Sequence, residues 1–139
     1  MIILDTNVLS ELMRPAPSDA VLRWLMGQAS SLLFTTTITQ AEILSGIALL
    51  PKGRRRAGLE NAALQMFVAD FAGRILPFDT QAAISFAGIT TARRQAGRPI
   101  SALDAQIAAI AHSLAAAVAT RNIDDFSGCG VPLINPWTA

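Results

Sequence analysis

Short apolar runs in this chain end abruptly in polar residues, and this sets the fold it can adopt. Asp5 closes the run Met1-Ile2-Ile3-Leu4 and is followed by Thr6-Asn7. Glu42 follows Leu32-Leu33-Phe34 and the threonine-rich stretch Thr35 to Thr39. Asp104 opens the apolar segment Ala105 to Ala111, and the cluster Thr120 to Asp125 follows Ala116 to Ala119. Continuous apolar runs this short read as strands buried on both faces, which is the signature of a parallel sheet.

The segments between them read as helices. Asn7 to Met13 predicts a short helix that ends before the stiff turn Pro15-Ala16-Pro17. Ser18 is placed to cap a second helix with Val21, Leu22, Leu25 and Met26 on its apolar face. A third is expected over Ile38 to Leu50, stopped by Pro51, and a long fourth after the basic turn Lys52 to Arg56. Its apolar stripe runs through Leu59, Ala62, Ala63, Met66, Phe67 and Phe71. Another follows Asp79 to about Gln95, with Gly97 and Pro99 as its stop signal. Ser101 starts the next, through about Leu114. Strands are expected at Ile2–Leu4, Leu32–Thr36, Ile75–Leu76, Ala116–Thr120 and Leu133–Ile134. Alternating strands and helices define an α/β fold with a mainly parallel central sheet flanked by helices, as one domain over residues 1–139. Right-handed crossovers put the strand C-termini on one edge, where such sheets bind ligands.

Asp5, Glu42 and Asp104 can therefore gather at that edge. Each also has a purely structural reading. Asp5 suits a helix cap; Thr39 to Glu42 and Ser101 to Asp104 fit capping boxes; Asp124 or Asp125 suits a turn. Caps, however, do not need to come from separate segments that a parallel sheet brings together. Clustered carboxylates suit a hard divalent ion, Mg²⁺ or Mn²⁺, and hence phosphodiester chemistry. Other chemistries lack their parts. His112 is the only histidine, so a histidine acid–base pair is absent. A phosphotransferase using Asp5 would want a second acid at Asn7 and a lysine nearby, and Lys52 is the only lysine. Cys129 lies between glycines with no evident base, and no glycine-rich phosphate loop is present.

Composition narrows the setting. The single cysteine excludes an internal disulfide and suits a reducing cytoplasm. Asp5 interrupts the apolar start, so no secretory signal is expected, and Ile107 to Ala119 is too short to span a bilayer. Charged residues make up only 15%, so part of the surface is expected to meet another protein. Arg54 to Arg56 and Arg93, Arg94 and Arg98 form the positive clusters. Both also read as solvated helix ends. Aromatic residues are 6%, which argues against a base-stacking platform and assigns Trp24 and Trp137 to packing.

Ile3 to Ser10, Thr39 to Gly46, Asp104 to Ala109, Ala119 to Asn122 and Asn135-Pro136-Trp137 together resemble the PIN-domain ribonucleases. The likeness is to VapC-type toxins of toxin–antitoxin pairs, including the FitB branch, and it covers the whole chain in order. It implies Mg²⁺- or Mn²⁺-dependent cleavage of single-stranded RNA, leaving a 5′-phosphate and a 3′-hydroxyl. It implies a VapB-like antitoxin that also binds promoter DNA, and a homodimer that joins larger complexes with antitoxin. By position, Asp5, Glu42 and Asp104 match the metal-binding acids. Thr6 and Asn7 match residues that support the first acid, and Thr120 one that orients the site. A fourth acidic position falls at Asn122, so Asp125 or Asp124 is left to supply a missing charge or to sit in a solvated turn. Arg121, beside this site, is the best phosphate-contact candidate. The competing reading is a non-catalytic binding module whose acidic pocket receives a partner's arginine.

Overall fold

The computed structural model describes residues 1–139. The chain runs β1 (Ile2–Leu4), α1 (Thr6–Leu12), α2 (Asp19–Met26), β2 (Leu33–Thr36), α3 (Thr37–Ala48) and α4 (Arg54–Gln65). It continues through β3 (Ile75–Leu76), α5 (Thr80–Gln95), α6 (Ala102–Ser113), β4 (Ala117–Ala119), α7 (Ile123–Phe126) and β5 (Leu133–Ile134). The five strands form one sheet in the order β3-β2-β1-β4-β5. Every pairing is parallel, a stronger result than the mainly parallel sheet expected. The chain builds outward from β1 to β3, then returns to lay β4 on the other side of β1. Strand order reverses between β1 and β4, and that is where a crevice opens in sheets of this kind.

Alternation along the strands splits the core in two. Ile3 and Val118 face a layer built from α5 and α6, with Ile107, Ile110 and Phe126. Leu4 and Ala119 face the opposite layer, with Val8, Leu9, Ile43, Ile47 and Phe67. Both faces of β1 are therefore sealed, as its unbroken apolar sequence requires. Helix α6 is buried almost all round, and its alanines let α5 approach closely.

Element ends show where local sequence was informative. Gly97, at φ +72°, closes α5 in a Schellman motif: Arg98 N–H donates to Arg93 O and Gly97 N–H to Arg94 O. Helix α6 ends the same way, but with Ala115 in the left-handed position, at φ 52°. Ala116 N–H then donates to Ala111 O, so Ala116 finishes the helix motif and the strand begins one residue later than expected. Leu32 belongs to a 3₁₀ turn over Ser30–Leu32, so β2 also starts one residue late. The long fourth helix loosens into a π-helical turn over Met66–Asp70 before Phe71.

Two expected caps are corrected. Helix α3 begins at Thr37, capped by the Thr36 hydroxyl, which accepts from Thr39 N–H. Thr39 lies inside the helix, so Thr39 to Glu42 is no capping box and Glu42 is released for another role. Ser18 precedes α2 without a side-chain cap; its N–H donates instead to Glu11 Oε2. No helix is long and apolar enough to cross a membrane.

Candidate active site

The crevice between the ends of β1 and β4 is fixed by a network around Asp5. Asp5 N–H donates to Ala119 O at 2.9 Å, which continues the ladder one step past the strands. Its side chain then caps α1, with Oδ1 accepting from Thr6 N–H at 2.8 Å. Cap and site are thus one residue, and neither reading of Asp5 excludes the other. Thr120, the first residue after β4, donates its hydroxyl to Asp5 Oδ2 at 2.9 Å. The same Thr120 oxygen accepts from Asn122 N–H at 3.0 Å and from Asn7 Nδ2 at 3.3 Å. Asn7 Nδ2 also reaches Asp5 Oδ2, and Asn7 Oδ1 accepts from Arg121 N–H. Asp5 is thus bonded by the Thr6 backbone and by the Asn7 and Thr120 side chains, Thr120 from a buried position.

Helix α3 brings the second acid. Thr6 Oγ1 donates to Glu42 Oε1 at 2.8 Å and lies 3.0 Å from Thr39 Oγ1. A hydroxyl has one proton, and that of Thr6 is given to Glu42, so Thr39 donates to Thr6. Thr39, buried and absent from the expected site residues, is the far end of this relay. Asp104 enters from the first turn of α6, where its N–H is capped by the Ser101 hydroxyl.

These acids line one open cavity of about 500 Å³ with Thr6, Asn7, Arg121 and Asn122. Asp125 does not line it. It faces a neighbouring hollow with Asp124 and Asn135, and its carbonyl accepts from Arg93 Nη1. Asp125 therefore does not replace the missing charge at Asn122 inside the cavity, although it still pushes the Asp104 carboxyl upward.

Electrostatics separates the acids. Burial pushes the Asp5 carboxyl up to about 6, against the stabilising Thr120 and Thr6 hydrogen bonds; the charges of Asp104 and Glu42 add a smaller upward push. Asp104 is raised as well, again by burial first, with the Ser101 hydroxyl opposing it. No three acids, histidine or cysteine converge closely enough to grip an ion as they stand. The gathering expected from sequence is therefore a wide one.

Four lining residues were not expected at the site: Ser10, Glu11, Arg14 and Trp137. A signal for three of them exists in the sequence. Thr6, Asn7, Ser10, Glu11 and Arg14 recur at helical spacing and draw a polar stripe along α1. Glu11 is only 6% exposed and accepts from Ser18 N–H and Arg14. It pins the Pro15 to Pro17 turn rather than standing open. Trp137 carries the only apolar lining and lies against the Arg121 guanidinium, 5.0 Å from the ring centroid. It is more than the packing residue expected.

The basic clusters divide. Arg93 is buried and donates to the carbonyls of Arg98, Asp125 and Ser127, which ties α5 to the end of α7. It is neither a solvated helix end nor a phosphate contact. Arg56 pairs with Glu60 at 2.7 Å, while Arg54 and Arg55 border an apolar groove of about 680 Å³. That groove, floored by Ile43, Ile47 and Leu59, opens directly beside the acidic cavity and shares Thr6 and Glu42 with it. Cys129 is buried and its thiol is pushed up by burial, in keeping with an inert role.

The PIN domain family profile matches residues 2–128. The chain is 40% identical over 137 residues to the VapC ribonuclease Y4jK of Sinorhizobium fredii, covering 99% of this chain and 98% of that one. It is 40% identical to toxin FitB of Neisseria gonorrhoeae, covering 99% of both chains. The crystal structure of FitAcB from Neisseria gonorrhoeae superposes with a TM-score of 0.93 at 40% identity, covering 100% of both chains. The chain belongs to the PIN-domain family, in the branch that holds VapC and FitB.

Proposed function

We propose that this chain is a divalent-metal-dependent endoribonuclease acting as the toxin of a toxin–antitoxin pair. The observation that carries this reading is the convergence of Asp5, Glu42 and Asp104, from three separate segments, on one open polar cavity at the sheet's switch point. The donor set fits a hard cation. Asp5 Oδ2 accepts from Thr120 and Asn7, while Oδ1, which accepts from Thr6 N–H, keeps a lone pair, and Glu42 Oε2 is uncommitted. Asp5, Asp104 and Glu42 would hold Mg²⁺ or Mn²⁺, with Asn122 able to add an amide oxygen. Bound there, the ion would polarise the phosphodiester and make an attacking water more acidic.

The chain's own residues do the rest. Thr120 and Asn7 fix the Asp5 carboxylate, and Thr6 fixes Glu42, so two acids are oriented before substrate arrives. Arg121 offers a cation to a phosphate beside the acids. The apolar groove, bordered by Arg54 and Arg55, supplies a surface for an antitoxin segment, as the likeness to FitAcB supports. A homodimer in the cytoplasm completes the reading.

The test is cleavage of single-stranded RNA by purified protein with Mg²⁺ or Mn²⁺, with EDTA, and by folded Asp5→Asn and Asp104→Asn variants. Loss of rate by about a thousandfold or more is expected for each variant. Cleavage that persists in EDTA and in both variants overturns the proposal. Metal binding without turnover on any RNA would instead favour a binding module whose acidic pocket receives a partner's arginine.

A further inference from the structure

Two arginines line the acidic cavity, Arg14 and Arg121, and of these only Arg121 has a charge that is not spent. Arg14 and Arg56 are paired with Glu11 and Glu60. Arg74, Arg93 and Arg98 donate to backbone carbonyls. The Arg121 side chain takes part in neither kind of bond, and its backbone N–H is tied to Asn7 Oδ1. What holds the guanidinium is Trp137, with the cation 5.0 Å from the ring centroid.

A guanidinium that lies over an aromatic ring can still use the N–H donors in its plane for phosphate. Contact with the Trp137 ring restrains the Arg121 group while none of its N–H donors is bonded within the chain. Both partners have anchored backbones. Arg121 directly follows Thr120, which holds Asp5. Trp137 follows β5 in a turn whose N–H donates to Asn135 Oδ1 at 2.9 Å, and Asn135 O accepts from Thr138 and Ala139. Arg121 lines both the acidic cavity and the adjacent hollow, so it stands on the wall between them.

We infer that Trp137 is a positioning residue, which holds the Arg121 guanidinium over its ring with the N–H donors free to receive an RNA phosphate next to the carboxylate site. The inference rests on the ribonuclease reading above for the nature of the ligand.

The experiment measures binding of a short single-stranded RNA in EDTA across a salt series, so that no cleavage is required. Wild type is compared with Arg121→Ala, Trp137→Ala, Trp137→Phe and the Arg121→Ala/Trp137→Ala double variant. Arg121→Ala is expected to weaken binding and to flatten the log K against log salt slope by about 0.7, one phosphate's worth. Trp137→Ala removes no charge, yet it should weaken binding about 3- to 10-fold and flatten the slope in the same way. The double variant should be no worse than the worse single, and Trp137→Phe should stay within about twofold of wild type. A salt slope unchanged by Trp137→Ala, or additive losses in the double variant, overturns the inference. If Trp137→Ala does not fold, Trp137→Phe and Trp137→Leu replace it; equal binding by these two overturns the inference. Cleavage by the same wild-type sample separates the two claims. Binding that follows this pattern without metal-dependent cleavage sinks the enzyme and leaves the stack standing; cleavage with an unchanged slope does the reverse.

Discussion

The two sides of the acidic cavity are built differently. On the strand side, Asp5 is 5% exposed and joined to Thr6, Asn7 and Thr120 across two paired strands. On the helix side, Glu42 and Asp104 are half-buried, and Asn122, just ahead of α7, and Asp125, within it, are exposed. The strand side is held by backbone ladders that end within a residue of the functional group. The helix side relies on the packing of α3 and α6 against that sheet. One side is thus preorganised at the cost of burying a carboxyl. On the other, Thr6 holds Glu42 Oε1, while Asp104 is open enough to adjust when a ligand arrives.

The largest consequence falls on pH. Asp5 titrates near 6 in the folded protein against an ordinary value of 3.8. Its folded-state affinity for a proton is raised, so its contribution to stability is complete below about pH 3.8 and is lost as pH rises through 6. Across that window the metal-free protein should lose about 3 kcal/mol from this group alone. Denaturant unfolding in EDTA at closely spaced pH values, for wild type against Asp5→Asn, measures it. The difference between the two curves should grow with pH, and Asp104→Asn should remove a smaller share in the same direction. Parallel curves for wild type and Asp5→Asn would show that the strand side is not the strained one.

Next in size is Thr120. Thr120→Val keeps the shape but removes the O–H to Asp5 and the acceptor for Asn7 and Asn122. Orienting partners of this kind are worth about 10- to 100-fold in activity or metal affinity. RNA cleavage by this variant should fall by that factor, while Asp125→Asn on the helix side should stay within about threefold because its charge is exposed and outside the cavity. Equal losses in a cleavage assay would erase the distinction between the sides.

Legibility in the sequence follows the same division. Ile2 to Leu4 and the acid after them could be read directly, because a strand buried on both faces must be uniformly apolar and its end is marked by the first polar group. Thr120 was expected inside the strand, and its role at the site came from the family resemblance; β4 in fact ends at Ala119. Arg93 could not be read, because only the return of the chain after α7 brings the carbonyls of Asp125 and Ser127 to it. Thr39 was misread because its local pattern matches a cap, yet the cap of α3 falls three residues earlier, at Thr36. Trp137 was hidden for a different reason. A lone tryptophan near a chain end carries no period, and its partner Arg121 lies on a different strand end.

The smallest effect sharpens the contrast at a distance, at the two helix ends that deliver α5 and α6 to the sheet. Both ends use the same hydrogen-bond pattern, but Gly97 occupies the left-handed position in one and Ala115 in the other. An alanine there carries strain of about 1 kcal/mol that glycine avoids, offset in part by the larger backbone entropy of glycine in the unfolded chain. Ala115 is exposed, so no packing is lost on substitution. Ala115→Gly should therefore raise the unfolding free energy by up to about 1 kcal/mol, and Gly97→Ala should lower it by a similar amount. Paired thermal or denaturant melts with opposite signs would show that α6, which carries Asp104, is held with less than its full stability. A destabilising Ala115→Gly would mean that the turn before β4 draws its conformation from packing rather than from the residue itself.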